Sequence, residues 1–233
     1  MRQSIRSPDS SLAGASVLFD FEGTLVDFQW QLEPAEAELR HAFAEFGVAG
    51  GVFETGNYAA MWNSAADLLA PQGRLDELRR ALYPIYDRWD MDALERWTPR
   101  AGAADLLRRL ADRGARAAVV SNVGRKALSI ALDRFDFSRW LSPVVSRDEV
   151  SSMKPGTEGI LQALSALNVA DGDALFVGDS RADVFGARAA GMPVAIIRGG
   201  ECGEWSGPAF SDARPDHMIS QLDEVIGLLA TNR

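Results

Sequence analysis

Four short polar clusters carry the residue types that do chemistry in this 233-residue chain. Asp20 follows the apolar run Val17-Leu18-Phe19, and Ser121-Asn122 follows Ala117-Ala118-Val119-Val120. Gly178-Asp179-Ser180 follows Ala174-Leu175-Phe176-Val177, with Asp183 just beyond, and Lys154-Pro155 opens the helical period leading into that run. Ligands of open parallel sheets gather at the carboxyl ends of strands. If these runs are strands, carboxylates far apart in the chain meet beside one lysine. Clustered carboxylates resist ionisation unless a cation joins them. An all-oxygen donor set with positions left for water suits Mg²⁺ better than zinc. Such a site suits phosphoryl transfer. An aspartate can take the phosphoryl group as an acyl phosphate, splitting one displacement into two, and Mg²⁺ offsets the repulsion between anionic attacker and anionic substrate. Ser121 Oγ, the backbone N–H groups after Asp20 and the Lys154 ammonium would hold the phosphoryl oxygens.

The elements that must position these residues are legible as patterns. Two further apolar runs, Pro143-Val144-Val145 and Val194-Ala195-Ile196-Ile197, bring the strand-length runs to five. None alternates polar with apolar, which predicts strands covered on both faces. Helical periods lie between most of them: Leu106, Leu107 and Leu110; Leu128, Ala131, Leu132 and Phe135; Ile160, Leu161, Leu164 and Leu167; Val184, Ala187 and Ala190. Leu222, Val225, Ile226 and Leu229 form a last stripe. This alternation predicts an α/β fold, a Rossmann-like parallel sheet with helices on both faces. Residues 28–97 break the alternation with three amphipathic helical segments. One has Pro34 in its first turn and stops at Gly47; the second carries Tyr58, Met61, Trp62, Ala65, Leu68 and Leu69; the third runs from Leu75 to Trp89, with a kink expected at Pro84. That length exceeds an ordinary connection and predicts an inserted helical subdomain at 28–97. The core would then be 16–27 with 98–233, and 1–15 a flexible extension.

Composition narrows the function. Hydrophobic residues make up 47% and charged residues 24%, and the net charge is −9, which disfavours nucleic acid and anionic membrane surfaces. No apolar run approaches the ~18 residues of a membrane span, and the first fifteen residues hold no apolar stretch of signal-peptide length. Cys202 is the only cysteine, so no internal disulfide forms and a reducing, cytoplasmic setting is expected. Gly-rich nucleotide loops, His-Glu-x-x-His and paired Cys-x-x-Cys are absent. His41 and His217 are expected at the surface, His217 in a polar loop, and Arg74, Arg79, Arg80 and Arg88 on a solvated helix face. Trp30, Tyr58, Trp62, Trp89 and Trp97 read as core anchors, with Trp30 or Asn57-Tyr58 candidates to face a ligand. Oligomeric state is left open.

The run Asp20-Phe21-Glu22-Gly23-Thr24-Leu25-Val26-Asp27 resembles the first motif of the haloacid dehalogenase superfamily. Ser121-Asn122 is similar to its second motif, Lys154-Pro155 to its third, and Gly178-Asp179-Ser180-Arg181-Ala182-Asp183 to its fourth. Gly186-Ala187-Arg188-Ala189-Ala190-Gly191-Met192 resembles the segment that follows in the phosphoglycolate-phosphatase-like branch. The resemblance implies a phosphatase of a small phosphorylated metabolite, with the inserted helices as a cap. It implies Asp20 as nucleophile, and Mg²⁺ held by Asp20, the Glu22 carbonyl, Asp179 and Asp183, the last directly or at one remove. Ser121, Asn122, Thr24 and Lys154 would surround the phosphoryl group, Lys154 would also position Asp20, and Ser180 would bond locally. One position departs: the family's usual acid/base two residues after the nucleophile is aspartate, and here it is Glu22. The acid strengths differ little, so Glu22 is expected to keep the role, either slowed by its extra methylene or suited to an unusual leaving group. Within the superfamily a dehalogenase, which needs no metal, or a phosphomutase are alternatives. A serine hydrolase built on Ser180 is disfavoured because Asp216-His217 lacks the usual spacing. The reading from another class is a phosphate-binding or scaffold protein that lost turnover at Glu22.

Overall fold

The apolar runs form strands because each is buried between helices, where a continuous apolar run is the stable choice. In the computed structural model, which describes residues 11–48, 57–200 and 214–231, these are β1 (Ser16–Phe19), β2 (Arg116–Val120), β3 (Leu141–Val145), β4 (Ala174–Gly178) and β5 (Val194–Ile197). A further strand, β6 (His217–Ile219), completes a six-stranded sheet of order β3-β2-β1-β4-β5-β6 in which every neighbouring pair is parallel. Cys202 and residues 1–10 lie outside the described residues. His217 therefore corrects the expectation of a surface loop: it is half-buried in an edge strand, paired with Ala195. β3 corrects another, since this edge strand leaves Ser142 exposed and Pro143 and Val144 half-buried.

The helices are α1 (Leu32–Glu45), α2 (Tyr58–Leu69), α3 (Leu75–Leu94), α4 (Ala103–Asp112), α5 (Arg125–Arg134), α6 (Glu158–Leu167), α7 (Arg181–Ala189) and α8 (Glu224–Thr231). The two faces of the sheet bury different side chains. Val17, Phe19, Val119 and Val177 pack with α4, α5 and α8, whereas Leu18, Val120, Phe176 and Ile196 pack with α6 and α7. The fold is the expected α/β sandwich of layers. Lys154 stands in the loop before α6, which starts only at Glu158.

The inserted helices α1–α3 bury Leu39, Phe43, Trp62, Leu82 and Tyr86 among themselves, and this cluster is continuous with the first face of the sheet. α3 continues through Pro84 as one helix. The two connections to the sheet meet at their base, where Asp27 N donates to the Thr98 carbonyl (3.0 Å), Thr98 N donates to Asp27 Oδ1 (2.7 Å), and Val26 bridges Pro99.

Candidate active site

Chain order and sheet order part company at β1, which lies between β2 and β4. That switch point opens a crevice at the carboxyl ends of β1 and β4. Phe19 pairs with Val177 and Asp20 N donates to the Val177 carbonyl (2.9 Å), so Asp20 and Asp179 leave their strands side by side. The buried Asp20 carboxylate accepts from Lys154 Nζ at 2.5 Å and from Thr24 Oγ1 at 3.3 Å, and the same hydroxyl lies 3.3 Å from Asp179 Oδ1. Gly23, with φ +86°, makes the turn after Asp20. The Asp179 carboxylate occupies the space that a Cβ on Gly23 or Gly200 would need.

Asp183 is the third residue of α7 and forms a capping box with Ser180, as an acid three residues after a serine cap should. Its Oδ2 accepts from Ser180 N, Ser180 Oγ and Asp179 N at 2.8–3.1 Å. Its Oδ1 accepts from Lys154 Nζ at 2.7 Å. Carboxylate oxygens of Asp20, Asp179 and Asp183 lie within 4.8 Å of one another. Burial pushes the Asp20 carboxyl up, to about 6, against the pull of Lys154. Burial acts to lower Lys154, but the charges of Asp183 and Asp20 outweigh it and hold the ammonium above its ordinary value.

Lys154 is itself clasped. Asn122 Oδ1 accepts from Lys154 N (2.8 Å) and Asn122 Nδ2 donates to the Lys154 carbonyl (3.2 Å). Ser121 Oγ accepts from Val123 N at 3.2 Å. A small cavity opens over these groups, lined from the sheet by Asp20, Ser121, Asn122, Lys154 and Asp179, and from the insertion by Phe28, Asn57, Tyr58 and Ala59. Thr24 lies beneath, its hydroxyl directed at the carboxylates. Of the two aromatic candidates to face a ligand, Tyr58 lines the cavity, whereas Trp30 is buried behind it, 4.5 Å from the Tyr58 ring centroid.

Glu22 also lines the cavity, and its Oε1 is anchored at the base of the insertion. Gln29 N and Trp30 N donate to it at 2.8 Å and Trp97 Nε1 at 2.9 Å. No described residue donates to Oε2. Burial outweighs these three donors and pushes the carboxyl up to about 8. An aspartate here would end about one C–C bond, ~1.5 Å, short of the donors. The Trp97 indole was expected only as a core anchor, and its spacing from Glu22 carries no signal in the sequence. Neither do Arg100, which donates to the Gly23 and Arg198 carbonyls, nor Asp90 and Arg147, which face each other beneath the cavity. Arg79 also departs from the solvated face expected of it, donating to the Val150 carbonyl at 3.0 Å.

A parallel sheet whose switch point gathers three acids and one lysine defines a family, and residues 17–197 match the haloacid dehalogenase-like hydrolases. The chain belongs to that family and is an enzyme of it. Within the family it is phosphoglycolate-phosphatase-like: it is 31% identical over 231 residues to the plasmid phosphoglycolate phosphatase of Cupriavidus necator, covering 96% of each chain. It is 29% identical to the phosphoglycolate phosphatase of Escherichia coli K12, covering 91% of each. The crystal structure of a hydrolase of the superfamily from Geobacter sulfurreducens shares the fold, with a TM-score of 0.58 at 20% identity over 96% of this chain and 99% of that one.

Proposed function

We propose that this hydrolase is a Mg²⁺-dependent phosphatase of a small phosphorylated metabolite, working through a phosphoryl group carried on Asp20. The observation that carries the reading is the convergence of the buried carboxylates of Asp20, Asp179 and Asp183, two of which pair with the buried Lys154. Asp20 and Asp183 pair with the Lys154 ammonium and Arg100 lies within electrostatic reach of Asp179, and an all-oxygen donor set is the kind Mg²⁺ takes. Asp20, Asp179 and the Glu22 carbonyl would hold the ion, with Asp183 a direct ligand or one water removed. When bound, the ion supplies charge neutralisation between the anionic attacker and the anionic phosphoryl group.

The chain's own residues supply the rest. An Asp20 carboxylate oxygen attacks phosphorus and the ester oxygen leaves, taking a proton from Glu22. That proton is available at neutral pH because burial raises the Glu22 carboxyl. The resulting Glu22 carboxylate then takes a proton from water as the water oxygen attacks the acyl phosphate, releasing inorganic phosphate and Asp20. Lys154 holds Asp20 in line and offsets the charge on the phosphoryl oxygens, to which the Ser121 hydroxyl donates a hydrogen bond. Residues 28–97 act as a cap over a core of 16–27 and 98–233, excluding bulk water and bounding the substrate's size. The small cavity supports a metabolite rather than a phosphoprotein or nucleic acid. No helix among the described residues is long and apolar enough to cross a membrane, and the single cysteine suits a cytoplasmic enzyme. Phosphate release with and without Mg²⁺ tests the proposal on a panel led by 2-phosphoglycolate, the substrate in the relatives' names. Folded protein that is silent across the panel would overturn it.

A further inference from the structure

Arg147 is among the largest fully buried side chains, 1% exposed, yet it does not line the cavity. It follows β3 and reaches under the site to α3. Its Nη1 donates to Asp90 Oδ2 (2.8 Å) and to the Asn122 carbonyl (3.1 Å), and its Nη2 to Asp87 Oδ1 (2.5 Å). The guanidinium lies 5.2 and 5.0 Å from the ring centroids of Tyr83 and Tyr86, and its Nε is buried without a hydrogen bond. Asp90, 3% exposed, accepts from Gly124 N through the same Oδ2 (2.9 Å) and from Trp30 Nε1 through Oδ1 (3.1 Å). A Cβ on Gly124 would stand 2.5 Å from Arg147 Nη2 and 2.7 Å from Asp87 Oδ1, so only glycine admits this approach.

These contacts join the two ends of the site. Trp30, held by Asp90 through its indole, donates its backbone N–H to Glu22. Asn122, held by Arg147 through its carbonyl, clasps Lys154 with its side chain. An unbroken polar line therefore runs from Glu22 through Trp30, Asp90, Arg147 and Asn122 to Lys154. Burying charges in this way seldom stabilises a fold more than apolar side chains of the same volume, and here one donor goes unmet. What such a tie does supply is fixed geometry. We infer that Arg147 and Asp90 are positioning residues: together they hold the Ser121–Gly124 loop and the backbone that anchors Glu22 in one register. The inference rests on the phosphatase reading for its kinetic consequence, but not for the geometry.

The test replaces both charges at once, Asp90→Leu with Arg147→Met, so that neither is left buried and unpaired. The double variant should still fold, melting about 4–8 °C below the parent because Gly124 N and Trp30 Nε1 lose their acceptor. Its kcat on the best phosphate ester should fall about ten- to hundredfold, the scale of a 1 Å misplacement. KM should stay within about threefold, because Lys154 and Ser121 remain to bind phosphate. Hydrogen exchange reads the tie without turnover: the amides of residues 28–31 and 121–125 should lose protection together. Full kcat in the double variant, exchange unchanged in either segment, or failure to fold, which would make the charges part of the framework, overturns the inference. A parent enzyme without phosphatase activity instead refutes the proposed function, and the exchange result still decides the tie.

Discussion

The two nearest substitutions of Glu22 separate its two tasks. Glu22→Gln keeps the chain length and an oxygen for the Gln29, Trp30 and Trp97 donors, but has no proton to give. At pH 5, where Glu22 is protonated in the folded chain, the variant's melting temperature should match the parent's, while kcat falls about 10²–10⁴-fold, the usual loss with a general acid–base group. Glu22→Asp keeps the acid and shortens the arm. The donor distances of 2.8–2.9 Å would stretch to roughly 4 Å, beyond the ~3.2 Å reach of a hydrogen bond. Three donors without their acceptor cost about 1 kcal/mol each, about 3 kcal/mol together. At about 2–4 °C per kcal/mol for a chain of this length, the midpoint should drop by about 6–12 °C. Activity should fall as well, although aspartate is the family's usual residue here. Thermal melts and steady-state phosphate release on both variants check this. Turnover of the best ester by Glu22→Gln at the parent's rate would refute the proton role. A parent-like melt with undiminished kcat in Glu22→Asp would refute the matching of arm to anchor.

The pH dependence follows from the same carboxyl. Because its folded value is about 8, kcat on alkyl phosphates should fall above that pH, and the limb should vanish in Glu22→Gln. The folded protein holds a proton that the unfolded chain sheds near 4.5. The stability Glu22 contributes is thus full below about 4.5 and lost as pH rises through about 8; the gap between melts at pH 5 and 8 should narrow in Glu22→Gln, leaving the share that the raised Asp20 carboxyl contributes. Mg²⁺ at one hundred times its Kd should stabilise by about 2.7 kcal/mol, raising the midpoint by about 5–10 °C; calorimetry should find the rise absent in Asp179→Asn, and no rise in the parent argues against the metal. Gly23→Ala forces a side chain into a left-handed turn, costing roughly 1–2 kcal/mol, and drives its Cβ into the Asp179 carboxylate. Activity and the Mg²⁺-dependent shift should both be lost while circular dichroism still reports a folded chain.

Much of this molecule is written in short-range pattern. Val17-Leu18-Phe19 before Asp20 and Ala174–Val177 before Gly178-Asp179 are legible because strands buried on both faces need unbroken apolar runs, and the polar residue ending each run falls at the sheet's carboxyl edge. The helix at Tyr58–Leu69 was legible from its apolar period. β6 was not: three residues beginning with His217 have no period, and pairing with β5 makes them a strand. Arg147, in Ser146-Arg147-Asp148-Glu149, has the look of a solvated charge, as does Asp90 in the charged helix α3. They are buried only because α3 and the loop after β3 close on each other across a sequence separation of 57. Glu22 shows both sides. Its type and place after Asp20 were plain in the chain, but what its extra methylene is for depended on donors at 29, 30 and 97. Periodicity is set by neighbours a few bonds away and is carried by sequence alone. Which polar group satisfies which is settled only when distant segments share a dry interior, where every donor must find its acceptor.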